Sequence, residues 1–427
     1  MDVSVLGTGY VGLVTGAGLA EKGHNVTCYD IIKEKIEDIE RGVSPIYERG
    51  LDVIIKRNIG DKLNTSMDLK STINDSSITF ICVGTPSNRD GSINLKYMNN
   101  ACREIGEVLK NKKQYHLVVV KSTVVPGTTE QKIIPRLKQS TEKKVYRDWG
   151  IVMNPEFLRE GVAVEDFLNP DRIIIGANDR RSSDMLSRLY EDFNCPVLRV
   201  DIKTAEMIKY SSNAFLATKI SYINEVGNIC KKLGINVYDV AKGMALDHRI
   251  SDSFLAAGLG FGGSCLPKDV KALIHRSGEL NIKLDLLDSV IKVNEKQAYR
   301  MLELARKKTG PLKNKKIALL GAAFKPGTDD IRESPVHALI KKLHEEKAKV
   351  VVYDPQANGN MKKEYGKKIS YALSADDALL DAELALIVTA WREFELLDFS
   401  LMKEPVVVDG RNIIKNKKNI IYEGLCW

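Results

Sequence analysis

Residues 258–270 read Gly-Leu-Gly-Phe-Gly-Gly-Ser-Cys-Leu-Pro-Lys-Asp-Val, placing one thiol, Cys265, in a glycine-rich loop with Lys268 and Asp269 just beyond it. The glycines let a ligand approach the backbone. The lysine and carboxylate are placed to draw the thiol toward thiolate and to hold water beside it. Taken alone, such a loop is more readily read as carrying a buried structural cysteine. The start of the chain changes the balance. Val3 to Leu6 read as a short buried strand, Gly7-Thr8-Gly9-Tyr10-Val11-Gly12 as a turn, and the next stretch to about Lys22 as a helix. A second strand from Val26 to Tyr29 then ends in Asp30. This strand–turn–helix–strand unit with a terminal acid is the signature of a dinucleotide site. Gly7 permits the turn, Gly9 admits a pyrophosphate, and Gly12 lets helix and strand pack closely. The helix N-terminus faces the phosphates. Asp30, set for the adenosine ribose hydroxyls, disfavours a 2′-phosphate, so the expected cofactor is NAD. A nicotinamide and a nucleophilic cysteine together point to oxidation past the aldehyde level.

Other polar residues fall where such chemistry would need them. Apolar runs at Ile78–Val83 and Leu117–Val120 end in Gly84-Thr85-Pro86 and Lys121-Ser122-Thr123. Ligands of parallel sheets collect at the carboxyl ends of strands, so Thr85 and Thr123 read equally as cofactor or water contacts and as helix caps. Ile151-Val152-Met153 leads into Asn154-Pro155-Glu156-Phe157-Leu158-Arg159-Glu160-Gly161. With Asn154 as a cap and Pro155 at the first helical position, Glu156 and Glu160 share a helix face. Their repulsion would raise a pKa and suit base catalysis; a solvated acidic turn fits the spacing slightly better. Lys209 and Asn213, four apart in a helical stretch, read either as solvated residues or as a cation and an amide aimed at an oxyanion. The presence of Cys265 favours the second.

The elements around these residues follow from pattern and length. The 427 residues are too many for one ordinary core. A hydrophobic share of 44% with 28% charged residues is that of a globular protein. No apolar run spans a bilayer, and the N-terminus enters a strand at once, so a cytoplasmic protein is expected. The seven cysteines contain no Cys-x-x-Cys pair and the six histidines no ligand spacing, so no metal site is expected. The net charge of +8 is spread in short pairs, which suits anionic small molecules and not nucleic acid. Strands and helices alternate to about residue 200. From Lys203 to Lys232 apolar residues recur with helical spacing, predicting a long helix that bridges domains or forms a subunit interface. From Lys316 a second strand–helix alternation begins, but Ala322, Ala323 and Phe324 would crowd a pyrophosphate there. The expected fold is α/β: two Rossmann-like doubly wound domains joined by a long central helix. The expected domains are 1–200, binding NAD, 201–300, helical with the cysteine loop, and 301–427, closing over a nucleotide.

Seven motifs in order carry a resemblance over nearly the whole chain: residues 7–12, 83–86, 121–123, 154–161, 209–213, 261–269 and 324–334. The chain resembles the nucleotide-sugar 6-dehydrogenases, the UDP-glucose/GDP-mannose dehydrogenase family. The resemblance implies an NAD-dependent four-electron oxidation, with Ser264 and Lys268 favouring UDP-glucose, made into UDP-glucuronate. It implies Cys265 as nucleophile, Thr123 and Asp269 holding water, Lys209 and Asn213 on the oxyanion, and Glu156 in hydrolysis with Glu160 nearby. For the cofactor it implies Asp30, Lys35 and Arg332, beside Gly7, Gly9, Tyr10, Val11, Gly12, Thr85 and Thr123. For the sugar nucleotide it implies Glu156, Phe157, Leu158, Arg159, Glu160, Lys209, Asn213, Phe254, Gly262, Lys325 and Arg411. Arg249 would come from the neighbouring subunit of a homodimer or larger oligomer. Phe254 stands where relatives often have tyrosine, so a hydrogen bond is lost. Another sugar nucleotide, or a non-catalytic NAD sensor, are the competing readings.

Overall fold

The computed structural model describes all residues, Met1–Trp427, in two compact units, Met1–Ser212 and Asn213–Trp427. The first unit is built on β1 (Asp2–Leu6), β2 (Asn25–Tyr29), β3 (Leu63–Ser66), β4 (Ile78–Ile81), β5 (His116–Val120), β6 (Trp149–Met153), β7 (Ile173–Ala177) and β8 (Val197–Val200). Their order is β3-β2-β1-β4-β5-β6-β7-β8. β1 to β6 pair in parallel; β1, β4, β5 and β6 are near-continuous buried runs, as strands covered by helices on both faces require. β7 turns back antiparallel to β6, pairing Val152 with Ala177. Two apolar clusters, one on each side of the sheet, hold it: one around Leu13, Phe80 and Val152, the other around Ile105, Val118 and Trp149.

The second unit holds a six-stranded parallel sheet in the order β11-β10-β9-β12-β13-β14. Its strands are β9 (Lys316–Leu320), β10 (Lys349–Tyr353), β11 (Ser370–Tyr371), β12 (Leu384–Ile387), β13 (Val406–Asp409) and β14 (Ile421–Gly424). The order repeats that of the first six strands, so both units are doubly wound. The predicted long helix runs Ile202–Leu233 and belongs to both units. In the second unit it is accompanied by the helices Leu266–Glu279 and Asp285–Thr309. No helix is long and apolar enough to cross a membrane.

Candidate active site

The first unit forms the dinucleotide turn as its sequence predicts. Gly7 has φ +95° and its amide donates to the Tyr29 carbonyl at 2.8 Å, tying the turn to the end of β2. A Cβ on Gly12 would lie 1.8 Å from the Gly7 carbonyl oxygen, so helix and turn approach as only glycine permits. A Cβ on Gly9 would meet nothing within 4 Å. The helix Tyr10–Glu21 has glycine at its N-cap, so no capping side chain stands between its first turn and an anion. Val11 sits half-buried in this first turn, and the Tyr10 hydroxyl donates to the Tyr47 carbonyl. Asp30 is buried beside the turn. Its Oδ2 accepts from the Thr8 amide at 2.8 Å and hydroxyl at 2.7 Å, its Oδ1 from the Ile32 amide, and the Lys35 ammonium lies 3.6 Å away. An open cradle, uncapped amides and a buried acid fit NAD. The Thr85 hydroxyl donates to the Thr123 carbonyl at 2.9 Å, fastening the ends of β4 and β5 together.

The segment after β6 corrects one expectation. Residues 154–159 form no regular element and only 163–168 are helical, so Glu156 and Glu160 do not share a helix face. The reason is that Asn154 is used elsewhere. Its Oδ1 accepts from Lys121 Nζ at 2.9 Å and from the Tyr190 hydroxyl at 2.7 Å, and its Nδ2 donates to the Ile174 carbonyl. It therefore ties β5, β6 and β7 together instead of capping a turn. Glu156 is 6% exposed and pairs with Lys209 Nζ at 3.0 Å. Burial pushes its carboxyl up. The Lys209 charge and hydrogen bond, the Leu158 amide and Lys121 outweigh that and hold it below its ordinary value. Glu156 is thus an ion-paired carboxylate and not a carboxyl raised by a second acid. Phe157 lies under two cations, Arg172 at 3.9 Å and Lys209 at 5.4 Å. Leu158 donates its amide to Glu156 Oε2, Arg159 forks onto Asp166, and Glu160 is half-buried in the following turn.

Sequence reasoning missed two supports here. Lys121 is 6% exposed, and burial brings its ammonium down to about 8, despite Cys82 and Glu156 nearby. Glu48, 113 residues before Gly161, accepts the Gly161 amide and the Ala163 amide, pinning the end of this segment. Both couplings are long-range and leave no local pattern.

In the second unit Cys265 is half-buried and stands at the N-terminal cap of the helix Leu266–Glu279, 3.6 Å from the Ser264 hydroxyl. Asp269, one turn on, is 1% exposed. Its Oδ2 accepts from Asn213 Nδ2 at 2.7 Å and its Oδ1 from Lys268 Nζ. Asn213 therefore gives one amide hydrogen to this carboxylate and keeps a second. Gly262 packs against backbone: a Cβ there would be 2.4 Å from the Glu333 carbonyl oxygen. Arg411 donates to the Val388 carbonyl at 2.7 Å and the Gly260 carbonyl at 3.0 Å, so it braces the cysteine loop. Arg332 forks onto Asp330, and Lys325 lies 5.7 Å from the Phe324 ring. Arg249 is exposed and pairs with Asp247, and Phe254 adopts φ +66°.

Residues 1–194 match the NAD binding domain of the UDP-glucose/GDP-mannose dehydrogenase family, 203–296 its central domain and 318–416 its UDP binding domain. The chain belongs to this family. It is 44% identical to a UDP-glucose 6-dehydrogenase of Haloferax volcanii, with 100% of both chains covered. It is 37% identical, again with 100% of both covered, to a GDP-mannose 6-dehydrogenase of Pseudomonas putida. A solved UDP-glucose dehydrogenase from Pyrobaculum islandicum superposes with TM-score 0.95 at 40% identity, covering 100% of this chain and 97% of that one. The protein is therefore an enzyme, an NAD-dependent nucleotide-sugar 6-dehydrogenase.

Proposed function

We propose that the enzyme oxidises the C6 hydroxyl of UDP-glucose to the carboxylate of UDP-glucuronate. Carrying the reading is Cys265 at a helix N-terminus, with Asp269 and its partner Asn213 one turn away. Amides and the positive end of the helix dipole there stabilise developing negative charge. Residues 7–12, Asp30 and Lys35 would hold NAD, which when bound would supply the hydride acceptor for both oxidations. Cys265 adds its sulfur to the aldehyde carbon, giving a thiohemiacetal, and Lys209 and Asn213 donate to its oxygen. Once this is oxidised to the thioester, Glu156 takes a proton from the attacking water, releasing the acid and restoring the thiol. Thr123 and Asp269 hold the water, and Glu160 lies near Glu156. Phe157, Leu158, Arg159, Phe254, Gly262, Lys325 and Arg411 serve the sugar nucleotide, while Thr85 and Arg332 serve the cofactor.

We divide the chain functionally as 1–200, 201–300 and 301–427, and place the enzyme in the cytoplasm. A homodimer forms through the long helix, on which Phe215, Tyr222 and Ile229 are 65%, 52% and 62% exposed at seven-residue spacing along one stripe. Arg249 then serves the neighbour's site. The test is the ratio of NADH formed to UDP-glucose consumed with excess NAD. Two NADH per sugar, falling to one or none in Cys265→Ser, supports the reading. A ratio of one in the wild type, or unchanged turnover in Cys265→Ser, overturns it. NADH formed only with GDP-mannose or a UDP-N-acetylhexosamine reassigns the sugar.

A further inference from the structure

The backbone that delivers Cys265 belongs to no sheet or helix and is held by side chains together with two main-chain bonds. Asn294, on the helix Asp285–Thr309, faces Phe261. Its Oδ1 accepts the Phe261 amide at 2.8 Å and its Nδ2 donates to the Phe261 carbonyl at 2.9 Å. A carboxamide that meets both groups of one residue does what a partner strand does in a ladder. The fit is close: a Cβ on Gly260, which has φ +85°, would lie 2.3 Å from Asn294 Oδ1. Gly258 is gripped in the same way. Its amide donates to Asn224 Oδ1 at 2.7 Å and its carbonyl accepts from Gln297 Nε2 at 2.8 Å, both partners being fully buried. The Leu259 amide reaches the Gly410 carbonyl at 3.0 Å, and beyond the clamp the Gly263 amide reaches the Arg332 carbonyl at 2.9 Å.

A loop whose residues are mostly glycine has few side chains of its own to fix it. It takes its position from what its peptide groups bond to, and buried peptide groups must bond to something. We propose that Asn294 is a positioning residue for Cys265, setting the loop through the main chain of Phe261. The inference rests on the reading of Cys265 as nucleophile. Misplacing a reacting group by about 1 Å can cost on the order of 10²-fold in rate, so loss of the clamp reaches turnover without any contact to substrate.

The test compares full-length wild type with Asn294→Ala, Asn294→Asp, Ser221→Ala and Cys265→Ser, each melting above the assay temperature. Ser221 Oγ donates to the Val290 carbonyl at 2.9 Å, joining the same two helices without touching the loop, so its variant reports helix packing alone. Turnover is measured with UDP-glucose and NAD, and thiol reactivity by iodoacetamide labelling of Cys265, which needs no substrate. For Asn294→Ala, kcat is expected to fall roughly 10- to 100-fold with the KM for NAD unchanged, while the freed loop is alkylated several-fold faster. Asn294→Asp, which keeps the acceptor for the Phe261 amide, lies between, and carries the test if the alanine variant does not fold. Ser221→Ala keeps wild-type kcat and labelling. Wild-type kcat and labelling in both Asn294 variants, or equal losses in Ser221→Ala, overturn the proposal. Full turnover in Cys265→Ser instead overturns the thiol reading on which it stands.

Discussion

Gly7 and Gly321 occupy the same point of two sheets wound in the same order. Each follows the first strand of its unit, with φ +95° and +98°, and each donates its amide at 2.8 Å to the tyrosine ending the next strand, Tyr29 or Tyr353. The acids that follow, Asp30 and Asp354, are both buried. They are spent differently. Asp30 receives Thr8 and Ile32 and has a lysine beside it. Asp354 receives five donors: the amides of Ala322, Ala323, Gln356 and Ala357 and the indole of Trp391. A carboxylate offers about four lone-pair sites, so Asp354 has nothing left for a ribose. The helix after Gly9 has no side-chain cap, whereas the first helix after Gly321 starts only at Pro335 and is capped by Ser334. The turn is thus a folding device before it is a cofactor site. It becomes a site only where the acid and the helix end are left open.

The largest effect that could break this comparison comes from Gly12→Ala. Overpacking ordinarily costs about 1–3 kcal/mol, and a methyl 1.8 Å from a carbonyl oxygen exceeds that range. The expected outcome is loss of saturable NAD binding and a lower melting temperature. The reciprocal change, Ala323→Gly, should create no second NAD site, because Asp354 and Ser334 remain committed. Two NAD bound per chain in that variant, measured by calorimetric titration, would end the distinction.

A smaller but more informative pair is Asp354→Ala against Asp30→Ala. The first orphans five donors in a buried setting, at about 1–3 kcal/mol for each one that water does not reach, and should fall on stability. The second orphans fewer and should fall on the cofactor, raising the KM for NAD and narrowing its advantage over NADP. Equal loss of melting temperature in the two variants would mean that both acids are structural.

These contrasts mark what the sequence could carry. Apolar runs predicted the core strands within a residue or two because parallel strands buried on both faces leave no polar alternation. The short strands β3, β11 and β14 escaped, since each is partly exposed and two to four residues long. The glycine turn was legible as its constraints are local. The setting of Glu156 was not: its pairing with Lys209 and the use of Asn154 by Lys121 and Tyr190 depend on residues tens of positions away. The helical turn inferred from Asn-Pro-Glu therefore gave way to an irregular segment. The cysteine was visible, but not the clamp on it, because nothing in the spacing of Asn294 and Phe261 signals that one reads the backbone of the other.

The smallest effect concerns charge. Burial pushes the Asp30 carboxyl up, yet the Thr8 amide and hydroxyl, the Ile32 amide and Lys35 outweigh it and hold the carboxyl below 3.8. A depressed carboxyl binds its proton less tightly folded than unfolded, so its contribution to stability is complete above pH 3.8 and lost as pH falls through the folded value. Asp30→Asn removes that contribution. The gap in urea stability between wild type and variant should stay constant from about pH 8 to 5 and close below about pH 4. A gap that widened on acidification would mean that Asp30 is folded as the neutral acid. The ionised state would then no longer separate the cofactor turn from its structural twin.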